Sequence, residues 1–163
     1  MAWPNARCMR SFASLRMAIS MDEIQSDITI RKAAPSEAAI ILHHRRSMFR
    51  DIGEGTVEEL DRMVEVAGPW LARALADGSY RHWLALDGSG RVAGGGGVLL
   101  SPLPANPKDP CTERAIILNV YTELEFRKRG IARQVVQTIL AWIQGARLAC
   151  CQSARQRRGA GLV

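Results

Sequence analysis

The sequence predicts an α/β domain of the α+β kind, in which a central sheet is flanked by helices. Strand-like alternation of apolar residues gives way repeatedly to helical periodicity along the chain. In addition, a nearly continuous apolar strand leads directly into an amphipathic helix in the second half. The chain has 163 residues, 47% hydrophobic and 23% charged, which is enough for one domain with a real core. This composition excludes disordered, collagen-like and coiled-coil proteins.

The first half of the predicted domain is a strand followed by two helices. Apolar alternation predicts a short strand over residues 28–31. A helix with a mixed apolar face follows over residues 36–49. Thr56 is expected to cap a second helix, which reaches residue 76 with an interruption near Gly68.

The second half is a hairpin, a loop, a strand and a third helix. Strands over residues 80–86 and 92–100 are joined by a DGSG turn. Residues 101–113 hold four prolines and are expected to form a loop. Residues 114–122, RAIILNVYT, are nearly continuously apolar, which is typical of a strand buried on both faces. Residues 130–144 carry an apolar stripe at helical spacing.

The net charge of +6 lies at the two ends of the chain. Residues 1–20 and 146–163 hold seven arginines and no acid, so residues 21–145 have a net charge of −1. The pI near 9.7 alone would favour nucleic-acid binding. The basic ends have no aromatic interleaving, however, so no nucleic-acid partner is predicted. No apolar run approaches the roughly 20 residues that span a bilayer, so no membrane association is predicted either.

Several residue types that often carry chemistry are interpreted here as structural. The four cysteines have no disulfide or metal-ligand spacing, so no metal is predicted and a reducing cytoplasm is the expected location. His43, His44 and His82 lack partners at ligand spacing and are interpreted as surface or core residues. Gly94–Gly97 resembles a phosphate loop, but no helix or lysine follows it. This favours a bulged strand that a neighbour approaches closely.

The most informative segment joins the apolar strand to the third helix. Arg127, Lys128 and Arg129 directly precede the helix, where its macrodipole disfavours positive charge. A bound anion such as phosphate would resolve this conflict, because the free N–H groups of a helix N-terminus bind anions and Gly130 lets the backbone approach. The alternative interpretation is a solvated basic turn before an amphipathic helix.

The pattern Arg127-x-x-Gly130-x-Ala132, at the start of a helix and after a buried strand, resembles the acetyl-CoA signature of the GNAT family of N-acetyltransferases. The order of elements over residues 27–145 is similar as well. The resemblance implies a three-layer fold with a mixed central sheet, and acetyl-CoA as cosubstrate without a metal. It places the pyrophosphate on the backbone amides of residues 128–132, although Leu124 stands where the family usually has proline. The cofactor-binding residues that it implies are Asn119, Val120, Thr122, Arg127, Lys128, Arg129, Gly130, Ile131 and Ala132.

The reaction implied by the resemblance is acetyl transfer to a primary amine of a small molecule or a peptide. A neutral amine attacks the thioester carbonyl, a backbone N–H of the central strand polarises its oxygen, and the CoA thiolate leaves. An alkyl amine near pH 7 is mostly protonated, so a base is required. Glu113 and Tyr121 are the candidate catalytic residues, with solvated or packing roles as the simpler alternative. The acceptor stays open, and the resemblance adds a homodimer to the expected partners.

Both ends of the chain depart from the family pattern. Residues 1–20 are interpreted as a disordered or non-native extension, and residues 21–145 as an incomplete acetyl-CoA-binding domain whose last helix ends at Gly145. Residues 146–163 are expected to form an irregular basic tail, truncated or frame-shifted relative to the family's C-terminal strands. The sequence therefore predicts weak or no acetyl transfer by this chain, with a non-catalytic CoA-binding or interaction module as the alternative function.

Overall fold

The computed structural model describes residues 28–106 and 111–159, with side chains described as far as Ala146. The extension predicted over residues 1–20 lies outside these ranges. The strands are β1 (Thr29–Lys32), β2 (Tyr80–Leu86), β3 (Val92–Pro102) and β4 (Glu113–Thr122), and the helices are α1 (Ala38–Asp51), α2 (Val57–Asp77) and α3 (Ile131–Gly159). The predicted α+β class is confirmed. The sheet has the order β1-β2-β3-β4 and is antiparallel throughout the described residues rather than mixed.

Two apolar clusters hold the three layers together, one on each face of the sheet. Successive strand side chains point to opposite faces, so Tyr80 packs against Ile41 of α1 and Leu71 of α2, on one side. On the other side Trp83 packs in a cluster with Val135 of α3. The helix pair α1–α2 and the single helix α3 therefore cover opposite faces of the sheet. No helix in the described ranges combines the length and apolar content that a membrane span requires.

Helix α2 begins where the sequence predicts and is continuous where an interruption was expected. Thr56 Oγ1 accepts a hydrogen bond from the Glu59 amide at 3.3 Å, and the Glu59 carboxylate accepts one from the Thr56 amide at 2.8 Å. The helix then passes through Gly68 and Pro69 without a break. Leu60 and Leu71 on either side of Pro69 lie on one buried face, so packing outweighs the cost of the proline.

The four-glycine run in β3 lets its neighbours approach closely, as predicted. A Cβ atom at Gly97 would lie 2.1 Å from the Tyr80 hydroxyl, and one at Gly95 would lie 2.7 Å from His82 Nε2. A Cβ at Gly96 would lie 2.9 Å from Val135 on the opposite face. The strand is therefore packed tightly from both sides, and it is not a phosphate loop.

Two predictions about the second half are wrong. The first residues of β4 are exposed rather than buried on both faces, with Ile116 at 43%, because β4 is the edge strand of the described sheet. Helix α3 does not end at Gly145 but continues to Gly159, so residues 146–159 are helical and not an irregular tail. A glycine inside a helix costs only about 1 kcal/mol relative to alanine, and helix-forming residues follow Gly145 on its C-terminal side. Residues 160–163 lie outside the described ranges.

Candidate functional site

A bulge divides β4 just before its end. Tyr121 pairs with Gly95 and Leu118 with Gly97, so the two residues between them, Asn119 and Val120, face a single residue of β3. Asn119 has a left-handed φ of 54°, which asparagine tolerates better than most residues. As a result Leu118 and Asn119 both contact side chains of the α1–α2 layer. A bulge also takes backbone groups out of the sheet ladder.

A groove of about 750 Å³ opens where β4 ends and α3 begins. It groups most of the predicted cofactor-binding residues with the C-terminal end of α1. Its lining residues are Met48, Asp51, Ile52, Val120, Tyr121, Thr122, Phe126, Arg127, Lys128, Gly130, Ile131, Ala132 and Arg133. Arg129 lies exposed in the same loop. Of the predicted set, only Asn119 faces elsewhere, into a second cavity.

The N-terminus of α3 presents free backbone donors to this groove. The first intrahelical bond runs from the Gln134 amide to the Gly130 carbonyl at 3.1 Å. The three amides before Gln134 therefore have no partner within the helix. Lys128 and Gly130 have positive φ values of 64° and 75°, so the backbone turns sharply just before the helix begins. Nothing lies within 4 Å of the place where a Gly130 Cβ would be, which leaves the amides open to an anion.

The three cations of the loop are not equivalent. Arg127 forms an ion pair with Asp51 of α1, donates from Nε to the Thr122 carbonyl at 3.0 Å and lies over the Tyr121 ring. The hydrogen bond from Arg127, followed by that from Arg50, holds the pKa of the Asp51 carboxyl below its ordinary value. Lys128 and Arg129 are exposed at the helix start. Arg127 thus connects α1 to the end of β4, whereas the other two supply positive charge at the surface.

The two candidate catalytic residues lie at opposite ends of β4. Tyr121 is buried in the wall of the groove, and its hydroxyl donates to Asp51 at 3.3 Å. Burial, with a contribution from the nearby Glu123 carboxylate, raises the pKa of the Tyr121 phenol, so it stays protonated. Glu113 is exposed at the first position of β4, roughly 30 Å along the strand from Thr122. The structure therefore brings Tyr121 to the groove and Glu113 to a different cavity.

A buried chain of hydrogen bonds beneath the bulge escapes the sequence analysis. Arg45 Nη1 donates to Asn119 Oδ1 at 2.6 Å, and Asn119 Nδ2 donates to the Tyr80 hydroxyl at 3.0 Å. Arginine is only a donor, which fixes the orientation of the amide, and the Tyr80 hydroxyl shares a further hydrogen bond of 3.0 Å with His82 Nδ1. The available signal was Asn119, a polar residue inside an apolar run.

The histidines occupy surface and core positions, as predicted. His43 is exposed, and its Nε2 lies 3.4 Å from the Glu123 carboxylate. His44 is buried against the Tyr121 ring, and burial lowers its pKa to about 4. Burial likewise lowers the pKa of His82 to about 3. Both buried rings are neutral near pH 7, and the described residues contain no group of three His, Cys, Asp or Glu suited to a metal ion.

A second cavity of about 530 Å³ lies between α1, α2 and the ends of β3 and β4. Arg45 and Asn119 are its polar lining residues, and its other walls are apolar. It is separated from the groove by the bulge, since Leu118 and Asn119 line the cavity while the next three residues of β4 line the groove. The two spaces therefore lie next to each other along β4, and no described residue lines both.

Comparisons with known proteins bear on the family and the fold. The family model described as acetyltransferase (GNAT) family matches residues 41–158. Among solved structures, the chain is similar to a GCN5-related N-acetyltransferase from Ralstonia eutropha, with 28% identity, a TM-score of 0.67, and 73% of this chain and 77% of that chain covered. It also shares its fold with a predicted acetyltransferase with acetyl-CoA from Clostridium acetobutylicum, at 18% identity, a TM-score of 0.64, and coverage of 73% and 75%. A search of curated proteins finds no match.

Proposed function

Since this chain belongs to the acetyltransferase (GNAT) family, we propose that it transfers the acetyl group of acetyl-CoA to a primary amine of a small molecule or a peptide. The observation that best supports the proposal is the groove at the end of β4. There, a helix N-terminus with free amides, two positive φ values and exposed cations lie together. A stable fold alone would place acids, not cations, before a helix.

The residues of the groove fit acetyl-CoA. The backbone amides of residues 128–132 would bind the pyrophosphate, and Lys128 and Arg129 would neutralise part of its charge. Residues 119–122 of β4 would align the pantetheine arm, since no other strand covers the outer edge of β4 in the described residues. When bound there, the cosubstrate supplies a thioester carbonyl as the electrophile.

The chemistry proposed for this site is direct transfer. The neutral amine nitrogen forms a bond to the acetyl carbonyl carbon, the carbon–sulfur bond breaks, and the sulfur leaves with the electron pair. A backbone N–H freed by the bulge would polarise the carbonyl oxygen. Tyr121, protonated and in the groove wall, would give a proton to the departing sulfur, and the nitrogen would lose one proton to water. Glu113 has no part in this mechanism, because it lies roughly 20 Å along β4 from the bulge.

Two measurements on the full chain test the proposal. Acetyl-CoA and CoA should raise its thermal unfolding temperature, because a ligand that binds only the folded state stabilises it. Release of free thiol should then depend on an added primary amine. If neither ligand changes the unfolding temperature, the proposal fails. Stabilisation without amine-dependent thiol release would favour the alternative of a non-catalytic CoA-binding module.

Substitutions in the loop localise the binding. Replacing Lys128 and Arg129 together by glutamine should raise the KM for acetyl-CoA roughly tenfold, because two exposed charges are removed from the phosphate site. The effect should shrink with added salt, as expected for exposed charges. Arg62→Gln, an exposed change on α2 away from the groove, is the matched control. An unchanged KM in the double variant would contradict this placement of the pyrophosphate.

A further inference from the structure

We infer that the acceptor is a free α-amino acid with an apolar or aromatic side chain, and that its carboxylate binds Arg45 in the second cavity. The inference rests on the proposed acetyl transfer and names its acceptor class. The cavity lies between α1, α2 and β4, where Leu118 and Asn119 line it, and the next three residues of β4 line the groove that fits acetyl-CoA. An amine held in the cavity would approach the bulge of β4, next to that groove.

The walls of the cavity favour an apolar body. They are formed by Ile41, Leu42, Met63, Val66, Ala67, Trp70, Leu71, Leu99 and Leu118. Two of these side chains, Val66 at 72% and Trp70 at 41%, are unusually exposed for their size. A ligand with an apolar or aromatic side chain would cover both. No aspartate or glutamate lines the cavity, so an acceptor with several positive amines would find no counter-charge there.

Arg45 supplies the anchor for an anion. Its neighbours on α1 have carboxylate partners, since Arg46 pairs with Asp61 at 2.8 Å and Arg50 pairs with Asp51 at 2.9 Å. Within the described ranges, no carboxylate pairs with Arg45. One N–H of its guanidinium is used by Asn119, which leaves donors for a carboxylate.

The position of Arg45 is fixed, which makes it suitable for recognition. Its guanidinium lies over the Phe49 ring at 5.0 Å and is held at the other side by Asn119. Partial burial strengthens a charge-assisted hydrogen bond to a ligand. A preorganised donor of this kind loses little entropy when the anion binds.

The short distance between Arg45 and the bulge limits how far the carboxylate and the amine of an acceptor can lie apart. Arg45 touches Asn119, a residue of the bulge itself, so an anion on Arg45 is close to the point where the amine reacts. In a free α-amino acid the carboxylate and the amine share one carbon, which meets this requirement. The neutral α-nitrogen bonds to the acetyl carbon, the carbon–sulfur bond breaks, and the sulfur takes up a proton while the nitrogen loses one.

The test compares the rates at which four amines are acetylated. L-phenylalanine is compared with 2-phenylethylamine, which lacks the carboxylate, and with glycine, which lacks the side chain. Spermidine represents acceptors with several positive amines. We expect kcat/KM for L-phenylalanine to exceed that for 2-phenylethylamine by about 10- to 100-fold, the effect of one charge-assisted hydrogen-bonded pair. The kcat/KM values for glycine and spermidine should also be lower than the value for L-phenylalanine.

A matched pair of variants assigns the preference to one residue. Arg45→Met should bring the ratio of L-phenylalanine to 2-phenylethylamine near one while leaving the KM for acetyl-CoA unchanged, which shows that the variant folds. Arg46→Gln, on the same helix but paired with Asp61, should keep the preference. Calorimetric titration with N-acetyl-L-phenylalanine gives a readout without turnover, and Arg45→Met should abolish that binding.

The outcomes separate this inference from the proposed function. Acetylation of 2-phenylethylamine or spermidine as efficiently as L-phenylalanine would overturn the acceptor class and leave acetyl transfer in place. A preference that survives Arg45→Met would overturn the role of Arg45. Acetyl-CoA binding with transfer to no amine would overturn the proposed function. In that case, binding of N-acetyl-L-phenylalanine that depends on Arg45 would still support the site, and no such binding would overturn it.

Discussion

The groove and the cavity on either side of the β4 bulge are built in different ways. Most lining residues of the groove come from one segment, residues 120–133, which contains the free amides of α3 and two positive φ values. The cavity is made of side chains from four separate elements, and its polar character depends on Arg45 and Asn119. We therefore expect the groove to depend on backbone conformation and the cavity to depend on the identity of single side chains.

The largest expected effect comes from Gly97, which lies against the Tyr80 hydroxyl that accepts a hydrogen bond from Asn119. Gly97→Ala places a Cβ 2.1 Å from the Tyr80 hydroxyl and displaces the hydrogen-bond chain that holds Asn119. We expect a loss of about 3 kcal/mol or more in the free energy of unfolding, measured by urea denaturation. Gly145→Ala is the control, since that position is helical and open, and it should stabilise the protein by about 1 kcal/mol. Equal stability of the two variants would contradict the close packing of β3.

The next effect concerns catalysis in the groove. Tyr121→Phe removes the hydroxyl proposed as the acid and its hydrogen bond to Asp51. We expect kcat to fall about 100-fold with little change in the KM for acetyl-CoA, since general acids contribute at least this much. Steady-state kinetics at saturating acetyl-CoA measures it, and urea unfolding of the variant controls for a change in stability. An unchanged kcat would contradict the role of Tyr121 as the acid and leave it a packing role only.

A smaller effect separates backbone from side chain in the groove. Gly130→Ala forces a side chain into φ 75° although no atom lies within 4 Å of its Cβ. We expect the affinity for acetyl-CoA to fall about tenfold through this backbone strain alone, and calorimetry measures it. Gly130→Asn, which tolerates the left-handed region better, should lose less. Both variants should keep the acceptor preference, because Gly130 does not line the cavity, and a changed preference would contradict this expectation.

The last effect is the pH dependence of stability from the two buried histidines. Their pKa values are lowered to about 4 and about 3, so between pH 6.5 and about 4 the unfolded chain binds more protons than the folded one. The free energy of unfolding should therefore fall as the pH falls through this window. His44→Gln should reduce that slope by about 1 kcal/mol per pH unit, whereas the exposed His43→Gln should not. Denaturation curves between pH 7 and 4 would show the difference, and equal slopes in all three proteins would contradict it.

The sequence was most informative where structure depends on neighbours along the chain. The Thr56 helix cap, the hairpin and the basic turn before α3 all depend on residues a few positions apart, and all are found where they were expected. Two of the wrong expectations, an interruption near Gly68 and an end at Gly145, gave too much weight to one or two residues inside a helix. In each case the remaining helix outweighs a local cost of a few kcal/mol.

The fold class, the family resemblance and most residues of the groove could be predicted from the sequence, because they lie in short patterns whose backbone conformation is locally encoded. Tertiary packing forms the cavity, because its two polar lining residues, Arg45 and Asn119, come together only when α1 packs on the sheet. It also decided that Tyr121 reaches the groove and Glu113 does not, since the two lie at opposite ends of one strand. Contacts between residues this distant in the chain depend on packing, which no local pattern specifies.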